Sequence, residues 1–127
     1  MKKIRFGERE IAPLFDLVAW ETIEAECGDL HAALDQIGDE ADAKARRKAT
    51  LTMATILCNN RLDAEGKAQD ITVKEMTRGV PPKRLPEVRI AVIEAINRGM
   101  RSDYDQADEE PVDVVLEEIA KKQNPDG

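Results

Sequence analysis

The 127-residue chain has few of the residues from which catalytic and metal sites are usually built. It contains one histidine, two cysteines and only four aromatic residues. Cys27 and Cys58 lie far apart without CxxC spacing, each at an apolar helical position, which favours buried thiols over a disulfide or a metal pair. His31 follows Asp29 at the start of a short helical pattern, where a solvated or capping side chain is more typical than a catalytic base.

The sequence also lacks the motifs of the common enzyme classes. GxxxxGK[ST], GxGxxG, GxSxG and HExxH are all missing, so phosphate-binding, dinucleotide-binding, hydrolase and zinc-protease chemistry have no starting point. Acidic clusters such as Asp39-Glu40 lack the spacing and glycine of an EF-hand. We therefore expect no catalytic residue, no cofactor and no metal, and interpret the chain as a protein that is not an enzyme.

Long hydrophobic runs are missing too. No stretch of 18 or more apolar residues occurs, and the first residues lead into charged Glu8, Arg9 and Glu10, which is unlike a signal peptide. We expect a cytosolic protein with no membrane partner. A chain of this length predicts one domain, which buries about 65 to 70% of the surface that its unfolded chain exposes.

The net charge of −7 is unevenly distributed. Residues 1–100 hold 16 Lys and Arg against 17 Asp and Glu, and residues 101–127 hold 3 against 9. The body is therefore close to neutral and the tail carries −6. An acidic tail repels phosphate backbones, so we expect no nucleic acid partner, although a local basic patch on the body stays open. The run Arg46-Arg47-Lys48 is best interpreted as a solvated helix face that pairs with Glu40 and Asp42.

What the chain does have is an N-terminal segment rich in large side chains. Phe6, Phe15 and Trp20 all fall within the first twenty residues. Residues 2–6 alternate polar and apolar, and Gly7-Glu8 can turn the chain into a second extended run over residues 9–15, so the pattern predicts a β-hairpin. Pro13 lacks a donor N–H, so the second run is predicted either to be an edge strand or to break near Pro13.

The remainder of the body predicts helices. Apolar periodicity and caps give helices over residues 17–27, 30–37, 39–60, 73–78 and 87–99, with Asp16, Asp29 and Thr72 as N-caps and Pro86 at a first helical position. Residues 49–58 are apolar on all sides, which predicts a central buried helix. Residues 59–70 are interpreted as a polar connection. The expected buried faces of the outer helices are Leu17, Trp20, Ile23 and Cys27; Leu30, Ala33, Leu34 and Ile37; and Val88, Ala91, Val92, Ala95 and Ile96, with Ile90 and Ile93 extending the last apolar arc.

The tail divides into two parts. Residues 101–110 are acidic and poor in apolar side chains, and predict a linker. Residues 111–123 predict an amphipathic helix with apolar residues at i, i+3, i+4 and i+7. These four residues, here called the tail stripe, are Val112, Val115, Leu116 and Ile119. The tail stripe either docks on the same core or binds a partner or a neighbouring copy, and it is our candidate partner-binding site.

The predicted fold is therefore mainly α. It is a compact helical domain over residues 1–100 with a short N-terminal β-hairpin, followed by the linker over residues 101–110 and a C-terminal amphipathic helix over residues 111–123.

The order of these elements resembles a known family. Four consecutive patterns are similar to the tail assembly chaperones of long-tailed bacteriophages and prophages. They are the hairpin x-Ile-x-Phe-Gly-x-Arg-x-Ile over residues 3–11, the run Leu-Phe-Asp-Leu-Val-Ala-Trp over residues 14–20, the turn Cys-Gly-Asp-Leu at 27–30 and the following Ala33-Leu34. The resemblance covers most of residues 4–100. Two features depart from the family pattern, namely Pro13 in the second strand and the strongly acidic tail.

The resemblance implies a non-enzymatic helper in tail morphogenesis. Such proteins bind the long tape measure protein before assembly and help recruit tail-tube subunits, in the cytoplasm of the bacterial host. Because many copies must coat one long partner, self-association is also implied.

An alternative is a small prophage-encoded regulator or nucleic-acid-binding helical protein. Its best candidate segment is residues 74–89, which contain five Lys or Arg residues. Pro81, Pro82 and Pro86 interrupt that segment, so it does not predict one continuous recognition helix.

Overall fold

The structure is a computed structural model, and it describes residues 2–101. Two strands, β1 (Ile4–Phe6) and β2 (Arg9–Ile11), precede five helices. The helices are α1 (Leu17–Cys27), α2 (Leu30–Gln36), α3 (Ala43–Ala64), α4 (Val73–Gly79) and α5 (Leu85–Arg101), with a 3₁₀ turn over Pro82–Arg84 before α5. The mainly α fold with an N-terminal hairpin is confirmed. Residues 102–110 of the predicted linker, the predicted helix 111–123 and the whole tail stripe lie outside the described residues, and α5 includes Arg101.

The hairpin is antiparallel, with Ile4 opposite Ile11 and Phe6 opposite Arg9. Its connection is Gly7-Glu8, and Gly7 has a φ of 62°, a conformation that glycine adopts without steric cost. Strand β2 ends at Ile11, two residues before Pro13, because Pro13 has no N–H to extend the ladder. The predicted break is therefore confirmed.

The hairpin is attached to the end of α4. The Gly7 N–H donates to the carbonyl oxygen of Gly79 at 2.9 Å, and the side chains of Ile4 and Phe6 are buried. The guanidinium of Arg9 lies 5.7 Å from the centre of the Phe6 ring, within cation–π range. The strand pair thus closes one end of the helical core.

Helices α1 and α2 begin at the predicted caps. The Asp16 carboxylate accepts from the Ala19 N–H at 3.0 Å, and Asp29 does the same for Ala32 at 2.8 Å. The expected burial of Leu17 is wrong, since this side chain is 73% exposed. The buried face of α1 centres on Ala19 and Ile23, and two residues of helix separate Leu17 from Ala19 by about 200°.

Three more apolar side chains of α1 and α2 are less buried than the periodicity predicts. Trp20, Cys27 and Leu34 are partly buried and pack against the core from its edge. The Trp20 ring lies 5.8 Å from the Phe15 ring, and its indole N–H donates to Glu24 at 3.0 Å. These residues therefore cover the core without being enclosed by it.

Helix α3 begins and ends four residues later than predicted. It begins at Ala43 because the Asp42 carboxylate accepts from the N–H groups of Lys44 and Ala45 at 3.0 and 3.3 Å. Arg46 donates to the carbonyl oxygens of Asp39 and Ala41, so its predicted pairing with Glu40 and Asp42 is wrong.

The predicted polar connection over residues 59–70 is also wrong in its first part. Helix α3 continues to Ala64, with Leu62 buried on the same core. Polar residues 59–61 remain helical because their side chains bond to segments that flank α3, as described below.

The central position of α3 is confirmed. Half of its 22 residues are buried, among them Met53, Ala54, Leu57 and Cys58, and it contacts α1, α2, α4 and α5. Burial raises the pKa of the Cys58 thiol to about 12, and both cysteines are free thiols. A closely packed helix of this kind is rigid, so the segments that pack on α3 are held in fixed positions.

Helices α4 and α5 complete the core. The Thr72 hydroxyl accepts from the Glu75 N–H at 3.0 Å, as the capping-box spacing predicts. Helix α5 packs against α3, and its predicted central face is buried. At the edge of the predicted apolar arc Ile93 is partly buried, but the expected burial of Ile90 is wrong, since this side chain is 44% exposed. The Arg89 guanidinium donates to the backbone oxygen of Ile37 and, at 2.8 Å, to the Asp39 carboxylate, which joins α5 to the loop between α2 and α3.

The close contact between the hairpin and α4 is testable by glycine substitution. A Cβ atom on Gly79 would lie 2.6 Å from the Gly7 nitrogen and 2.9 Å from the Phe6 Cβ. We expect Gly79→Ala to lower the free energy of unfolding in urea by about 1 to 3 kcal/mol, since the backbone must move apart.

The matched control is Gly38→Ala. Its nearest neighbour would be the Asp35 oxygen at 3.4 Å, so we expect a change within about 1 kcal/mol. Equal losses in the two variants would contradict the close approach.

Candidate functional site

An open groove of about 400 Å³ lies between α1 and the segment that leads into α4, with α3 as its floor. We call it the α1–α4 groove. Its first wall is the face of α1 that carries Val18, Thr22 and Glu26, which recur at every fourth residue. Its second wall contains Ile71 and Val73.

The rims of the groove are apolar and accessible. Val18 is 56% exposed and Val73 is 42% exposed, and they stand on opposite walls. The groove therefore offers one exposed aliphatic side chain on each wall to a ligand. Leu17, next to Val18 in the chain, is the most exposed large apolar residue within residues 2–101.

The floor is formed by Thr52, Thr55 and Ile56 of α3. The Thr55 hydroxyl donates to the Leu51 carbonyl oxygen at 2.8 Å, so its hydrogen-bonding capacity is used within the helix. Ile56 is buried beneath the opening. The groove as a whole mixes polar and apolar side chains, since eight of the twelve residues that line it are polar or charged and only Val18, Ile56, Ile71 and Val73 are aliphatic.

Asn59 fixes the second wall. Its side-chain amide donates to the Ile71 carbonyl oxygen at 2.8 Å, and its oxygen accepts from the Ile71 N–H at 3.0 Å. Both backbone groups of Ile71, a buried residue with no strand partner, are thus satisfied by one side chain. This pair of bonds sets the distance between α3 and the start of α4.

Asn60, which lines the groove next to Asn59, fixes the first wall. Its amide donates to the Leu14 carbonyl oxygen at 3.0 Å and to the Asp16 carboxylate at 2.9 Å. The Leu14 N–H donates to the Leu57 carbonyl oxygen at 3.1 Å, and the Arg61 guanidinium donates to the Ala12 carbonyl oxygen at 2.9 Å. The segment before α1 is thereby fastened to α3 at three successive points.

An ion-pair cluster supports the loop before α4. The Arg9 guanidinium lies 2.9 Å from the Asp70 carboxylate and 3.2 Å from the Glu75 carboxylate. The hydrogen bond from Arg9 lowers the pKa of Asp70, and the bond to Asp70 is the main cause of a raised pKa for Arg9. These groups are largely solvated, so the cluster orients the loop more than it stabilises the fold.

Acidic and basic residues are unevenly distributed along the chain. Residues 10–43 contain ten Asp or Glu and no Lys or Arg, and they include all of α1 and α2. Glu26 and Asp63 line the groove itself. The α1–α4 groove therefore favours a ligand that brings basic side chains next to apolar ones.

The residues singled out from the sequence lie away from this groove. His31 is exposed in the first turn of α2, and Cys58 is enclosed in the core. Within residues 2–101 no three His, Cys, Asp or Glu side chains are grouped to hold a metal. In the same part of the chain no helix combines the length and apolar character needed to cross a membrane.

Sequence reasoning missed Asn59, Asn60 and the groove, although one signal was available. Two adjacent asparagines at the end of an apolar helix are unfavourable for a helix interior, which indicates that their amides have specific partners. Comparisons of the chain with protein-family models, with curated proteins and with solved structures found no match.

The length of the α1 wall matches that of a short helix. From Val18 to Glu26 the α1 wall spans eight residues, or about 12 Å. That length accommodates two turns of an amphipathic helix, whose anchors recur at i, i+3, i+4 and i+7.

The structural role of Asn60 is testable against a second buried asparagine. Asn97 on α5 is also buried, but its amide nitrogen has no hydrogen-bond acceptor among the described residues. We expect Asn60→Leu to lower the free energy of unfolding by about 2 to 4 kcal/mol, since Leu14 and Asp16 lose a buried donor.

The same substitution at Asn97 is the control. We expect Asn97→Leu to leave the free energy of unfolding unchanged or raise it by up to about 2 kcal/mol, because an unsatisfied donor is replaced by apolar volume. Urea denaturation measures both, and a larger loss at Asn97 than at Asn60 would contradict the assignment.

Proposed function

We propose that the protein is a non-enzymatic phage tail assembly chaperone that binds the tape measure protein and helps recruit tail-tube subunits in the cytoplasm of the bacterial host. Two observations support the proposal. The order of hairpin, Asp16-capped helix, Gly28-Asp29 turn and second helix resembles that family, and the molecule has an open binding groove. The groove is the observation that carries the proposal.

A tape measure protein, as the resemblance describes it, is long and helical. One amphipathic segment of it fits the α1–α4 groove with its apolar face between Val18 and Val73 and its basic residues near Glu26. Covering such a face removes apolar surface from water, which is how a small protein keeps a helical client soluble. If many copies of the protein bind along one client, neighbouring copies lie side by side and can contact each other, which is how self-association would contribute.

The first test is co-expression with the tape measure protein, followed by affinity measurement on the purified complex. We expect a soluble complex. The double variant Val18→Glu with Val73→Glu places two charges at the apolar rims and should weaken the complex at least about tenfold, which corresponds to about 1.4 kcal/mol.

Ile90→Glu is the matched control. Ile90 is 44% exposed, similar to Val73, but it lies on α5 and does not line the groove. We expect this variant to bind like the unmodified protein. The proposal is wrong if no complex forms, and the groove is the wrong surface if Ile90→Glu weakens binding as much as the double variant.

A second candidate function, nucleic-acid binding, is favoured by one surface. The bond between Gly7 and Gly79 brings β1 next to the end of α4 and the 3₁₀ turn. These segments and the residues just before β1 contain six exposed cations, Lys2, Lys3, Arg5, Arg78, Lys83 and Arg84. None of them forms an ion pair within residues 2–101.

An electrophoretic shift with nonspecific duplex DNA separates the two functions. For a chaperone with an acidic tail we expect no shift at about 150 mM salt, because phosphate contacts of this kind weaken steeply with salt. The matched variant is Arg78→Ala with Arg84→Ala, which removes two of the six cations. A shift that persists at that salt concentration and is lost in this variant would favour the alternative.

A further inference from the structure

The α1–α4 groove has a candidate occupant within the chain itself. The C-terminal segment outside the described residues is 26 residues long and begins directly after Arg101, the last residue of α5. The distance between the start of that segment and the groove decides whether the segment can reach it.

The end of α5 lies beside the start of α1. Gly99 packs so closely on Phe15 that a Cβ atom there would overlap the Phe15 carbonyl oxygen and approach its ring. Phe15 precedes Val18, the rim residue of the groove, by three positions. The chain thus leaves the described fold next to the end of the groove that Val18 marks.

The intervening linker is long enough to reach any part of the groove. Residues 102–110 can extend up to about 30 Å, and the α1 wall is only about 12 Å long. A short tether of this kind holds a segment at an effective concentration on the order of millimolar, so that modest affinity suffices for occupancy.

The tail stripe matches the α1 wall in length, and its aliphatic side chains are suited to the four apolar residues of the lining, Val18, Ile56, Ile71 and Val73. From Val112 to Ile119 a helix covers about 10 Å, and its four aliphatic side chains lie on one face. If the segment enters at Val18, its later residues approach Glu26 at the far end of the wall. Lys122, on the flank of the tail stripe, follows Ile119 by three residues and so reaches that end.

Glu26 lacks a partner of opposite charge in the described fold. It forms no ion pair within residues 2–101, and neither α1 nor α2 contains a Lys or Arg. A cation supplied by the tail would therefore be complementary at this position.

We propose that the tail stripe binds in the α1–α4 groove of its own chain, with residues 111–123 helical and Lys122 next to Glu26. This inference goes beyond the chaperone role, and it is tested without any client. Where the chaperone role also holds, the tail covers the client site until a client displaces it.

The test is amide hydrogen exchange of the full-length protein, read in peptides from residues 111–123 and from α1. We expect Val115→Glu to speed exchange in both peptides by about tenfold, because a charge in the tail stripe weakens its binding and leaves both the tail and the groove exposed to solvent. Val114→Glu is the matched control, since Val114 neighbours Val115 but lies on the opposite helix face. It should leave exchange in α1 unchanged.

A charge exchange tests the position of Lys122. We expect Glu26→Lys to speed exchange in residues 111–123, and the further change Lys122→Glu to restore the original rate. Lys121→Glu, on the opposite face, should not restore it. Unchanged exchange in α3 confirms in each variant that the core is folded.

Three results would overturn the inference. One is equal exchange in the Val114→Glu and Val115→Glu proteins, and another is unprotected exchange of residues 111–123 in the unmodified protein. The third is protection that grows with protein concentration, because the occupied groove would then belong to a second copy.

Discussion

The α1–α4 groove depends on two neighbouring amides, Asn59 and Asn60, in the last two turns of α3. Asn59 satisfies both backbone groups of Ile71 and so holds the wall that leads into α4. Asn60 bonds to Leu14 and to the Asp16 cap and so holds the wall formed by α1. Because both residues belong to one rigid helix, the two walls keep a fixed separation. A side-chain amide suits this task since it can donate and accept at once, as a peptide group does.

The arrangement follows from the burial of α3. A helix that is apolar on nearly all sides must be covered by several partners, and α1, α2, α4 and α5 are each too short to cover it alone. Segments without regular structure must then cross its surface, and their backbone groups need partners where water is excluded. Asn59, Asn60 and Arg61 provide those partners at the end of α3, where the apolar sequence gives way to polar residues.

This division between local and distant interactions explains what the sequence could predict. The caps Asp16, Asp29 and Thr72 bond to N–H groups three residues away, so a short window contains the whole signal. Asn60 bonds to residues 44 and 46 positions away, and no local pattern specifies such partners. The same reason accounts for the late end of α3 and for the exposure of Leu17, since both depend on which face meets α3 in three dimensions.

The groove remains open because the elements on either side are restrained away from each other. Small Ala19 brings α1 close to α3, and the Asn60 bonds then fix its start, so that Val18 faces across the groove instead of into the core. On the far side, Asn59 and the contacts of Arg9 with Asp70 and Glu75 keep Val73 from moving inward. Collapse of the groove would bury two valines but would break several hydrogen bonds, two of them to buried Ile71, at a cost of about 1 to 3 kcal/mol for each buried group left unsatisfied. The polar contacts therefore keep the groove open in a form that a ligand can enter without rearranging the fold, which lowers the cost of binding.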